Sequence, residues 1–351
     1  MNIDQMGGIG VYGKYLALTS KDYTTVPFTN KHKSTFDYYG IDGVADWGND
    51  LFHYCTIETL KSITEKNKKE NIDARLRFSD IRFLNDTTEF KEAVRLLKIA
   101  VDKEKLSMDK ELYSLLTDKK IYIELDKYFQ RYPFKNPINQ NKNMDSIKPI
   151  CRIYTCSFSM DGDLLPMWNY YAHGAGGMSI NFRELKENMQ GDENVKLVWG
   201  KVWYEEDDKR QCIEALLNDI SELFQQIPDK KCREEMIQTV LISAINNMRI
   251  FMKNENFSTE KEYRAVLIVP DEIIINSQVP EKYKSGYFNR GNIIIPYIDV
   301  PFESDTIKSI IVGSGAAGDF ALIKLGLEEW LSKQDLNNVS IYPSNIPMRR
   351  Y

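Results

Sequence analysis

The segment FSTEKEYRAVLIVP, residues 257–270, sets Glu260, Glu262 and Arg264 directly ahead of an apolar run from Ala265 to Val269. The run reads as a buried strand. On a continuous strand the three charged residues share one face, with Lys261 and Tyr263 on the other. Two carboxylates about 7 Å apart on such a face, with a guanidinium beside them, form a chemically useful set. Like charge raises one carboxyl pKa and the guanidinium lowers another. The pair can act as a base or stabilise a cationic transition state. The plainer meaning is a solvated strand edge with a surface ion pair.

Three other groupings carry chemistry-bearing residues. His53 lies between apolar neighbours in LFHYC, with Tyr54 following directly; such a histidine serves equally as a satisfied core residue. In CSFSMDGDLLPMWNYYAHGAGG, residues 156–177, Ser157 and Ser159 stand at strand spacing ahead of Trp168, Tyr171 and His173. Aromatics beside glycines suit a flat ring in a cleft. The alternative makes Trp168 and Tyr171 core anchors of a short helix that ends at His173-Gly174. In RFLNDTTEF, Asn85, Asp86 and Glu89 fit either a polar rim or a helix cap. GIGVYG and VGSGAAGD match neither a dinucleotide fingerprint nor a phosphate loop and are assigned to turns, and EKNKKE is a solvated charge run.

The elements that must position these residues alternate irregularly. Strands are expected at LFHYC, ARLRFS, ICRIYTCSFS, MSINF, VKLVWGKVWYEE, the segment after Glu262, GNIIIPYIDV, IKSIIVG and VSIYPS. Helices are expected after Thr56 or Thr59, over 90–132 with Phe90, Val94, Leu97 and Val101 inward, around Met167–Tyr171, as two long segments parted near Pro228, and over AAGDFALIKLGLEEWL. This gives an α+β fold: a mixed or antiparallel sheet of about six to eight strands, not a doubly wound parallel one. Residues 1–50 read as an irregular arm, and 51–351 as one domain with helical insertions at about 91–132 and 207–253.

The 351 residues carry a formal net charge of −5. That argues against a general nucleic-acid or membrane-surface binder while leaving room for a local basic patch. No apolar stretch approaches the length of about 18 residues needed to span a bilayer, and the opening residues lack the form of a signal peptide. Five cysteines without tight spacing fit reduced thiols, hence a cytoplasmic protein, and three histidines show no zinc spacing.

In order, LFHYCTIETLKSI, LRFSDIRFLNDTTEF, CSFSMDGDLLPMWNYYAHGAGGMSINF, FSTEKEYRAVL, IKSIIVGSGA and VSIYPSNIPMRRY resemble the domain-of-unknown-function family 2971, over roughly residues 50–351. Cys55 stands where threonine is usual and Phe257 where tryptophan is common. A looser similarity is to the three-part signature of ADP-ribosyltransferases. It is carried by the His-Tyr strand, the serine/aromatic strand and the late E-x-E strand, and it is a fold-level analogy. It implies a split α+β sheet clasping NAD as substrate, with a protein, nucleic acid or water as acceptor. It also implies a role in bacterial anti-phage defence or as a toxin. On this reading Glu262 stabilises the oxocarbenium-like cation and Glu260 orients or deprotonates the acceptor. His53, with Tyr54 beside it, bonds a ribose hydroxyl or the adenine side. Ser157 and Ser159 position the ribose, and Tyr171 or Trp168 stacks on nicotinamide. Arg264 tunes Glu262 or grips the pyrophosphate, and Asn85 and Asp86 line the rim. Two alternatives are a nucleotide-sensing module without turnover, and a metal-dependent nuclease or phosphodiesterase using Asp86, Glu89 and the Glu pair.

Overall fold

The computed structural model describes residues 50–66, 74–84, 90–129, 151–174, 176–189, 191, 195–270, 274, 279–315 and 319–347. They form a mixed α+β structure in two compact units. One is drawn from 84–150 and 200–256 and the other from 46–83, 151–199 and 257–351. Nine α-helices and ten strands occur among the described residues.

The first unit is helical and holds the segments expected as insertions. Helices α2 (Glu92–Lys103), α3 (Lys110–Leu116), α4 (Lys119–Phe129), α7 (Glu206–Gln226) and α8 (Lys230–Met248) bury apolar stripes against one another. On α2 the buried residues are Ala93, Leu96, Leu97, Ala100 and Val101. Leu97 and Val101 face inward as expected, whereas Val94 is only half-buried and Phe90 precedes the helix. Lys209 is buried here, with its ammonium 3.2 Å from Glu92 and 3.1 Å from the Lys253 carbonyl.

The second unit holds the sheet. Its strands are β1 (Asp50–Cys55), β2 (Ala74–Asp80), β3 (Cys151–Ser159), β4 (Met178–Arg183), β6 (Glu262–Pro270), β7 (Lys284–Arg290), β8 (Ile293–Phe302), β9 (Ile307–Val312) and β10 (Ser340–Pro343). β5 (Lys196–Lys201) pairs with β6. All pairs with a resolved register are antiparallel except β9–β10. Helix α1 (Ile57–Thr64), capped by the Thr56 hydroxyl, buries Leu60 and Ile63, and α5 (Leu165–Tyr171) buries Met167 and Trp168. Helices α6 (Leu185–Asn188) and α9 (Phe320–Lys333) complete the unit.

The sheet splits at β3. One edge of β3 is taken along its whole length by β6, from Cys151↔Pro270 to Ser159↔Glu262. The other edge is shared: β2 pairs at Tyr154 and Thr155, and β1 only at Ser159. Two leaves therefore leave one strand, β1-β4-β9-β10 and β2-β8-β7. The expected mixed α+β sheet is present as an open sheet, with more strands than the sequence suggests.

Register fixes two faces. On the first lie Phe158, Phe182, Phe302, Tyr263 and Trp199, with Phe158 5.9 Å from Phe182 and 5.8 Å from Trp199 between ring centroids. On the second lie Ser157, Ser159, Glu262 and Arg264, by the pairs Ser157↔Arg264 and Ser159↔Glu262. Phe158 is 1% exposed at the centre of the aromatic cluster. Phe158→Ala is expected to cost about 3–5 kcal/mol of stability, read as a lowered urea midpoint with an unchanged slope.

Candidate functional site

The candidate residues gather where β1, β3 and β6 run side by side. β1 leaves β3 after Phe52↔Ser159, so the Ser157 carbonyl meets no ladder partner from that strand. His53 supplies one: its Nδ1–H donates to the Ser157 oxygen at 3.0 Å, which fixes the tautomer. Across β3, Ser157 pairs with Arg264, and Ser159 with Glu262. His53, Ser157 and Glu262 thus sit on three adjacent strands spanning about 10 Å. Their side chains do not all converge. The His53 ring packs edge-on against Phe158 at 5.8 Å, on the face opposite Ser157 and Glu262. Burial lowers the His53 pKa, partly offset by the bond to Ser157.

Glu262 and Arg264 share a face as expected, and they bind each other. Arg264 Nε and Nη2 donate to the two Glu262 oxygens at 2.7 and 3.0 Å, with side chains only 2% and 4% exposed. This fork offsets the cost of burying both charges.

Glu260 departs from the expectation. It ends a 3-10 turn, Glu255–Glu260, and β6 begins only at Glu262. Between them Lys261 has φ +47°, a left-handed conformation that breaks strand alternation. Glu260 is nevertheless 6% exposed, and its Oε1 accepts from the Tyr171 hydroxyl at 3.1 Å. Ser159 Oγ donates to the Glu260 carbonyl at 2.8 Å and accepts from the Asp161 amide at 3.2 Å. Ser159 is fully buried, so its hydroxyl fixes the turn rather than meeting a ribose. Ser157 is half-buried.

Trp168 is 0% exposed and donates through Nε1 to Asp163 at 2.7 Å. It is a core anchor and offers no face for stacking; Tyr171 is half-buried and packs against the same cluster. Tyr54 packs on Trp168 at 4.9 Å, and its hydroxyl donates to the Asp161 carbonyl and accepts from the Leu164 amide. The helix ends at Ala172, with His173 at φ +49° and Gly174 at φ +63°, as a helix terminus would have it. Asn85, Asp86 and Glu89 lie outside the described residues.

Sequence reasoning passed over three residues. Lys261 ion-pairs with Asp161 at 2.9 Å, and Asp163 binds Trp168, Ser344 and the Asn345 amide. The signal was present in MDGD, where acidic residues flank a glycine between a strand and a helix. Burial pushes the Cys55 thiol up to about 12, so it is not a thiolate at neutral pH. Among the described residues no three His, Cys, Asp or Glu side chains form a metal-binding group, and no helix is long and apolar enough to cross a membrane. A groove of about 460 Å³ lined by Glu187, Asn188, Lys282, Tyr283 and Glu303 contains none of the candidates.

Residues 167–265 match the family described as Protein of unknown function (DUF2971). That stretch carries Trp168, Tyr171, Glu260, Glu262 and Arg264, and it is narrower than the span suggested by motif order. No curated protein and no solved structure matches the chain.

Removing one member of the buried pair strands the other. Arg264→Met is expected to destabilise by about 3–5 kcal/mol, whereas the double change Arg264→Met, Glu262→Leu costs far less; denaturant titration of both variants checks this. His53 gives a pH prediction. Its folded pKa lies below the unfolded value, so the unfolded chain takes up a proton that the native state resists. Its stability contribution is complete above pH of about 6.5 and is lost as pH falls toward the folded pKa. His53→Gln flattens this part of the stability profile between pH 7.5 and 5.5.

Proposed function

We propose that this site breaks the nicotinamide–ribose bond of NAD and passes ADP-ribose to a macromolecule or to water. The observation that supports the reading is the split sheet, with His53, Ser157 and the Glu262–Arg264 pair on the three strands that meet where it opens. The bonding electrons leave with the nicotinamide nitrogen, and C1′ of the ribose becomes an oxocarbenium-like cation. An oriented carboxylate in a water-poor setting stabilises that charge strongly. Glu262 has this setting, and Arg264 holds its orientation.

The remaining residues take roles that fit their placement. Glu260, held by Tyr171, accepts the proton of the incoming nucleophile. The Tyr171 ring stacks on nicotinamide. Ser157 is the hydroxyl nearest Glu262 and Arg264 on β3 that is not fully buried, and it bonds the ribose. His53 acts as a positioning residue that holds the gap between β1 and β3. This assignment replaces direct contact of His53 and Ser159 with ribose.

The test is nicotinamide release from NAD by purified protein, with water, protein extract and oligonucleotides offered as acceptors. Release by the wild type is expected to fall about 10²–10³-fold in Glu262→Gln, with the urea midpoint tracked as a control for folding. Absence of release with every acceptor sinks the reading. If calorimetry then shows NAD bound, the site senses the nucleotide without turning it over.

A further inference from the structure

Loop 160–164 runs from the end of β3 to the start of α5, between two parts of the candidate site. On one side it meets the turn that carries Glu260. The Met160 amide donates to the Lys261 carbonyl at 2.9 Å, and Lys261 Nζ reaches Asp161 Oδ2 at 2.9 Å. β1 supplies a second set of fastenings. The Tyr54 hydroxyl donates to the Asp161 carbonyl at 2.9 Å and accepts from the Leu164 amide at 2.8 Å. Gly162 is buried, and a Cβ there would come within 2.4 Å of the Phe52 ring. Glycine therefore lets the loop press onto Phe52, which pairs with Ser159 of β3.

The other side of the loop is held by one carboxylate. Asp163 Oδ1 accepts from Trp168 Nε1 at 2.7 Å and from the Ser344 hydroxyl, and its Oδ2 accepts from the Asn345 amide at 2.7 Å. The Asp163 amide donates in turn to Asp161 Oδ1 at 3.2 Å. An ionised carboxylate offers about four acceptor positions on its two oxygens, so it can tie donors that arrive from a helix and from a separate segment. An asparagine would turn one of those oxygens into a donor. Segment 344–346 is itself fastened to β9, because the Ser344 amide donates to the Val312 carbonyl at 2.8 Å. Ile346 packs on the cluster of Tyr54, Met167, Trp168 and Ala172, and Tyr171 packs on the same cluster.

We infer that Asp163 is a positioning residue that sets Tyr171 against Glu260. It acts through Trp168. The two aromatic residues lie three apart on α5 and so occupy neighbouring places on one helix face. α5 has only seven residues, too few to form stably without tertiary contacts. An indole pinned to Asp163 fixes the rotation of that helix, and the Tyr171 hydroxyl then meets Glu260 Oε1 at 3.1 Å. Segment 344–346 is the strap that holds the carboxylate in place. The inference rests on the proposed reaction for what the Tyr171–Glu260 pair does. The setting of the pair by Asp163 is measured without NAD, so the two can fail separately.

The experiment places 3-fluorotyrosine at position 171 of the full chain and records its fluorine resonance. Glu260→Gln shows how the resonance moves when the acceptor loses its charge. Asp163→Asn and Ser344→Ala are each expected to move it as well, although neither residue touches the ring. In the nicotinamide-release assay, Asp163→Asn lowers turnover about tenfold, as a displaced group does. Combined with Tyr171→Phe it adds nothing further, because both changes break the same bond. Ser344→Ala removes one strap donor and leaves the carboxylate in place, so it decides the matter if Asp163→Asn lowers the urea midpoint. A resonance unmoved in both variants overturns the inference, and so does an additive double variant. If the wild type releases no nicotinamide, the proposed reaction falls and the fluorine resonance alone decides the role of Asp163.

Discussion

Where β1 leaves β3, a backbone carbonyl loses its neighbour in the middle of a sheet, and an unsatisfied carbonyl there is costly. The His53 imidazole takes the vacant place at 3.0 Å from the Ser157 oxygen. Much of the second unit follows from this substitution. It lets β1 turn away with β4 and β9 while β2 approaches β3 from the other end. A side chain that stands in for an amide can let go without unzipping a ladder. The same bond fixes Ser157, whose partner on β6 is Arg264.

The charges behind the split form a second layer of constraint. Glu262, Arg264 and Glu260 are all buried, and buried charge persists only when matched. The Glu262–Arg264 fork matches one pair, and Tyr171 serves Glu260. Around them a frame of polar contacts uses up hydroxyls that look available in the sequence, those of Tyr54 and Ser159 above all.

Much of this architecture was legible because it rests on apolar periodicity. β1, β3 and β6 alternate or run apolar, and α7 and α8 carry long stripes parted at Pro228. β7 was not legible: KSGYFNR leaves nearly every side chain exposed or half-exposed on both faces, so no pattern betrays a strand. Glu260 was misplaced because parity arguments assume regular dihedrals, and the φ of +47° at Lys261 has no sequence signature. The fork at β3 depends on which strands pair, and that is absent from local pattern.

Asp163 joins parts of the chain that are far apart in sequence. It receives Trp168 from five residues away and the Asn345 amide from 182 residues away. The loop between β3 and α5 therefore cannot be fully fastened until the segment around residue 345 has left the ribosome. Synthesis at about 5–20 residues per second places that event many seconds after β3 emerges. The loop that follows Ser159 is completed by a segment made 182 residues after Asp163. A nascent chain can thus hold most of its sheet while its carboxylates still lack their final setting.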